Sequence, residues 1–240
     1  MKKINIVAFF ILTFWTLCSQ RAHANMPDLE TIRFETQNPL SPNYYPTLLK
    51  SFLSKESTLL KEQYPYFYYG MLFQEDYNPY RDDPNEQLIK STEPLYSRHG
   101  ALTRNEKDQI QRVAYSALTN NPLDLEQLSH LVYAWEQLGK VNQANAWKEK
   151  LDNILLTISQ SGSGYDKDDA IIIVDPSNEF DFFNISGIPI EKQEFVEPYY
   201  EVVTVTLPGE KEKRQFWFNL KYILEQYYAK HPEELNISPE

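Results

Sequence analysis

The chain predicts an α+β protein: a helical stack first, then a small, mainly antiparallel sheet with covering helices. Three observations carry this. Between Asn120 and Leu151, Leu125, Leu128, Leu131, Val132, Trp135 and Leu138 recur at helical three-and-four spacing. Gly139 interrupts them, and a second series follows at Val141, Ala144, Trp147, Leu151, Ile154, Leu155 and Ile158. Ser161-Gly162-Ser163-Gly164 then marks a flexible junction holding two of the seven glycines in four residues. Beyond it, Val203, Val205 and Leu207 alternate with Thr204 and Thr206, the period of a half-buried strand.

Taken in order, Pro27 suits the first turn of a helix through Phe34, and Pro39, Pro42 and Pro46 mark a turn-rich passage. Leu48 to Leu53 offers a short apolar helix, and Ser57 to Phe73 is dense in aromatic residues. Asp76 to Pro84 has loop chemistry, and a short helix is expected at Glu86 to Ser91. Thr103 with Glu106 forms a capping box for a helix carrying Ile110, Val113, Ala114, Ala117 and Leu118. It stops at Asn120-Asn121-Pro122, and Asp124 caps the next helix. In the second half Ala170 to Val174, Ile188 to Val196, Tyr199 to Leu207 and Arg214 to Leu220 read as strands, with a closing helix at Tyr222 to Lys230. The expected organisation is a helical region over 25–160 and an α+β region over 161–240 packed on it.

Residues 1–24 read as a signal peptide. Lys2 and Lys3 precede a largely apolar, uncharged run of fourteen residues, Ile4 to Leu17, and Ala22-His23-Ala24 offers a small-x-small cleavage site. The run is short of the ~20 residues a spanning helix needs, so no transmembrane segment is expected in the mature chain. Export to the periplasm or beyond follows. Cys18 raises the alternative of a lipoprotein, against which Leu17 is bulky where a lipobox wants a small residue. The mature chain has no cysteine, which excludes disulfides, thiol nucleophiles and cysteine-bound metals. It retains 20 basic against 34 acidic residues, and that surface excludes nucleic-acid binding.

The helical hairpin resembles a tetratricopeptide repeat over about 103–158. Pro122 matches the closing proline, Leu128 the large first-helix position, Leu131 the leucine, Trp135 the aromatic, Gly139 the inter-helix glycine and Ala144 the alanine. Val132 and Lys148 depart from the pattern. A longer resemblance rests on Tyr68-Tyr69-Gly70-Met71-Leu72-Phe73-Gln74, Asp76-Tyr77-Asn78-Pro79-Tyr80, Asp175-Pro176-Ser177-Asn178-Glu179-Phe180-Asp181 and Phe195-Val196-Glu197-Pro198-Tyr199-Tyr200. These runs are similar to an uncharacterised exported family, domain of unknown function 4919, found mainly in the Bacteroidota. The resemblance implies envelope localisation and one co-folded unit, and it carries no activity.

Two competing functions are read: the favoured one is a non-enzymatic envelope protein that binds a protein or peptide partner, and the alternative is a carbohydrate-binding or glycan-hydrolysing protein. The first would use a groove of the helical stack, lined by Gln127, His130 and Ala134. The second would use the loop Asp76 to Asp83, where Tyr77, Tyr80 and Arg81 sit among carboxylates as a carbohydrate cleft requires. Asp175, Glu179 and Asp181 would add an acid/base pair for glycan hydrolysis, against their ordinary reading as helix caps. Asp166, Asp168 and Asp169 suit a hard cation or, as ordinarily, a loop cap. His130 is expected on a helix surface. There is no HExxH, no nucleophile elbow and no phosphate loop, so neither cofactor nor metal is expected.

Overall fold

The computed structural model describes residues 28–54, 58–97 and 101–236. The expected signal segment, Cys18 and His99 lie outside the described residues. Among those described, nine α-helices and a four-stranded mixed sheet make an α+β protein. No described helix is long and apolar enough to cross a membrane. The described residues divide into two compact units, one over 29–155 and one over 156–236.

The first unit is helical: α1 Leu29–Gln37, α2 Tyr45–Leu53, α3 Tyr64–Gly70, α4 Glu86–Ser97, α5 Arg104–Asn120, α6 Leu125–Gln137 and most of α7 Val141–Ser159. Pro46 and Pro65 both sit in first helical turns, where the missing N–H costs nothing. Pro46 therefore opens α2 rather than prolonging the turn before it. The short helix expected at 86–91 runs on to Ser97 with Pro94 inside it. Pro94 is exposed, so the carbonyl it leaves unpaired is not stranded in a core. The capping box at Thr103 is present in both directions, with Glu106 N donating to Thr103 Oγ1 and Thr103 N to Glu106 Oε2. Asp124 caps α6 through Gln127 N at 2.9 Å. Gly139 takes φ +70° in the α6–α7 connection, with Lys140 N donating to Trp135 O and Gly139 N to Glu136 O. That double turn needs a left-handed residue, hence glycine.

The core of this unit is aromatic. Phe52 stacks on Phe67 at 4.3 Å and meets Trp147 edge-on at 6.3 Å, while Tyr45, Tyr64, Tyr68, Tyr69 and Tyr77 are all buried. Each such ring contributes roughly 1.5–3 kcal/mol by burial. Lys150 enters this core at 1% exposure: its Nζ donates to Phe52 O and Ser54 O, both at 2.6 Å, and lies 4.0 Å from the Trp147 ring centre. Burial lowers its pKa to about 8.

The second unit carries the sheet, in the order β1-β4-β3-β2, with β1 Ile171–Ile172, β2 Ile190–Val196, β3 Tyr200–Thr206 and β4 Lys213–Asn219. β2–β3 and β3–β4 are antiparallel, and β1 joins β4 in parallel. The strand expected over 170–174 shrinks to two paired residues, although all five side chains are buried. The α8 helix, Asn178–Asn184, packs on β2, and its Phe183 reaches Phe216 at 5.3 Å and Phe218 at 6.1 Å. The α9 helix is Lys221–Lys230.

The junction at 161–164 is not a flexible linker. Ser161, Gly162 and Gly164 are buried, Ser161 Oγ accepts from Ile172 N, Gly164 N donates to Asp169 O, and Trp217 N donates to Gly164 O. The glycines are there for close approach: a Cβ on Gly162 would stand 2.5 Å from Ala170 O.

Candidate functional site

The residues expected to act do not share one place. In the loop, Tyr77 is core at 4% exposure, whereas Tyr80 is 51% exposed and Arg81 is exposed. On α6, Gln127 and Ala134 are buried, so they form packing rather than the wall of an open groove. His130 is half-buried and its ring lies 3.7 Å from that of Tyr96 on α4, nearly parallel at 13°. The expected surface histidine is thus a stacked one. Tyr133 approaches Tyr96 at 6.0 Å, and Leu95, Tyr96 and Tyr133 pack on Leu102, Ile110 and Ala134. Nδ1 of His130 and Oε1 of Gln127 are buried with no hydrogen-bond partner. Burial lowers the His130 pKa to about 4 and raises those of Tyr96 and Glu126. The exposed Glu93 raises Glu126 further by charge repulsion.

Asp166 caps the turn Lys167–Asp169, its Oδ1 accepting from Asp168 N and Asp169 N, and Asp169 accepts from Ser163 Oγ. This is the loop-cap arrangement. His231, Glu233 and Glu234 bring ligand atoms within 4.8 Å of one another at the surface, and Tyr227 donates its hydroxyl to Glu234.

The most perturbed group is Glu179. It opens α8 beside Asn178, is 1% exposed, and accepts from Gln193 Nε2 at 2.5 Å through Oε1. The same Gln193 amide donates to Glu201 on β3. Its other oxygen, Oε2, is buried without a partner. Desolvation first, then the hydrogen-bonded, negatively charged Glu201, raises the Glu179 pKa to about 9. The Glu179 carboxyl is therefore neutral at neutral pH. Glu179 has no surface that a substrate could touch. Asp175 accepts from both Ser177 N and Ser177 Oγ, a local turn, and Asp181 is buried in the same helix.

Sequence reasoning named Glu179 and missed Gln193, Glu201 and Tyr96. A signal for two of them exists. Glu201 lies in phase with Val203 and Val205, so it points to their face of the sheet, and Gln193 is the register partner of Val203. A polar residue in an inward phase asks for a buried partner.

The profile of the family described as a domain of unknown function (DUF4919) matches residues 30–229, from α1 to α9. The chain belongs to that family. For this DUF4919 chain no curated protein matches, and no solved structure does.

Proposed function

We propose that this protein is a non-enzymatic binding protein whose helical unit takes a protein or peptide partner. One observation carries the reading: the junction of α4 and α6 gathers Tyr96, His130 and Tyr133 beside the exposed carboxylates Glu93 and Glu126. Interfaces are enriched in such aromatic groups, which bury area with little entropy loss. A tetratricopeptide-like arrangement of α6 and α7 fits a scaffold role. Export through residues 1–24, in a family of the Bacteroidota, would put the partner in the cell envelope.

A photo-reactive amino acid at Ser129, next to His130, tests this in the producing cell. We expect a discrete protein adduct that is absent when the probe stands at exposed Lys61. Equal labelling from both positions, or none from Ser129, would sink the reading.

The carbohydrate alternative draws on exposed Tyr80 and Arg81 and on the protonated Glu179. It ranks second because Tyr77 is core and Glu179 is sealed from solvent.

A further inference from the structure

A groove of about 800 Å³ crosses the end of the sheet in the second unit, within the range of small-molecule sites. Its floor follows from register. Lys192 on β2 is paired with Thr204 on β3, and Thr204 with Gln215 on β4, so the three side chains form one row across the strands. Neighbours in that row stand about 4.8 Å apart, the strand spacing. An aromatic ring, that of Tyr165, lines the same groove. Gly164 O accepts from Trp217 N, which sets the 164–165 segment alongside β4, and Tyr165 is 47% exposed there with its ring 6.2 Å from Phe216.

Charge decides what such a groove can hold. Its cations are already matched: Lys192 with Glu194 at 2.6 Å, Lys213 with Glu191 at 2.5 Å and Arg214 with Glu210 at 2.7 Å. These exposed pairs cancel the positive footprint that nucleic acid or a polyanion needs. A protein interface would want an apolar centre, and the row between Lys192 and Gln215 is polar. What remains is a ligand that is uncharged, rich in groups able both to donate and to accept, and apolar on one ring face.

We propose that this groove binds a neutral oligosaccharide, with one pyranose ring stacked on Tyr165, hydroxyls met by the exposed Gln215 and the Lys192–Glu194 pair, and the largely buried Thr204 forming the floor beneath them. Hydroxyls can donate to the carboxylate and accept from the ammonium of one ion pair without breaking it. The site uses none of the residues in 76–83 or 175–181 and is independent of any partner of the helical unit.

Affinity electrophoresis of the full chain through gels containing dextran, mannan, xylan or polygalacturonate provides the test. Retardation by at least one neutral polymer is expected. Tyr165→Ala should weaken it about tenfold, as loss of a ring contact implies, and Gln215→Ala should weaken it severalfold. Both side chains lie at the groove rather than in the core, and an unchanged circular dichroism spectrum will certify folding. No retardation by any neutral polymer, stronger retardation by polygalacturonate, or full retention by Tyr165→Ala would each overturn the proposal.

Discussion

Replacing Glu179 by glutamine should make the protein more stable at neutral and alkaline pH, although it alters a buried hydrogen-bonded side chain. The carboxyl titrates near 4.5 when unfolded and at about 9 when folded. Between those values the folded chain holds a proton that the unfolded chain has released, so stability is complete below pH 4.5 and drains away as pH rises toward 9. At ~1.4 kcal/mol per pH unit, the wild type loses roughly 4 kcal/mol from this group between pH 5 and pH 8. The substituted amide would keep an oxygen to accept from Gln193, present its NH₂ to Glu201, and titrate nowhere. Urea denaturation of both proteins at pH 5, 6, 7 and 8 gives the comparison. The wild-type midpoint should fall with pH relative to the mutant's, and Glu201→Gln should flatten the wild-type slope in part by removing the neighbouring charge. If the two proteins keep a constant difference from pH 5 to 8, Glu179 is ionised in the folded state and the reasoning fails.

Four further outcomes are expected. His130, lowered to about 4 by burial, should cost stability as pH falls from 6.5 toward 4, by about 3 kcal/mol in all, because the unfolded chain protonates first; His130→Gln should remove that acid slope in the same denaturation series. Lys150→Ala should destabilise the helical unit by about 3 kcal/mol or more in urea, since it opens a cavity under Trp147 and strips the donor from Phe52 O and Ser54 O. Gly139→Ala should cost about 1 kcal/mol, from positive φ alone, because nothing lies within 4 Å of the added carbon; Gly162→Ala should cost more in thermal melts, because its carbon meets the backbone of residues 169 and 170.

The features legible in the sequence were those settled within a few residues. The capping box of Thr103 and Glu106, the Asp124 cap and the glycine turn at 139 each involve partners three to five positions apart, so local chemistry specifies them. The strand around Val203 was readable for the same reason, but its half-buried alternation was not: Val202 and Thr204 are buried along with Val203 and Val205, so both faces are covered there. What was not readable depends on register or on packing. Gln193 joins Glu179 and Glu201 only because α8 lies on the β2–β3 pair, and the positions are 14 and 8 residues apart in sequence. Gln127 looks like a helix-surface residue and is buried, since the contact of α5 with α6 occupies the side it stands on. Ser161 to Gly164 has linker composition, yet its small residues are what allow one backbone to press on another.

The strand order also fixes when this protein can finish folding. β4, the last strand made, belongs between β1 and β3 rather than at an edge. Until residues 213–219 leave the ribosome, β1 has no neighbouring strand, Phe183 lacks the Phe216 and Phe218 rings, and of the sheet only the β2–β3 hairpin can assemble. A sheet closed by the last of its described strands stays open until that strand is made. Under the export proposed above, in which the chain would thread a channel unfolded, that delay is a convenience built into the topology. A chain truncated before Lys213 would leave β1 unpaired and Phe183 without Phe216 and Phe218.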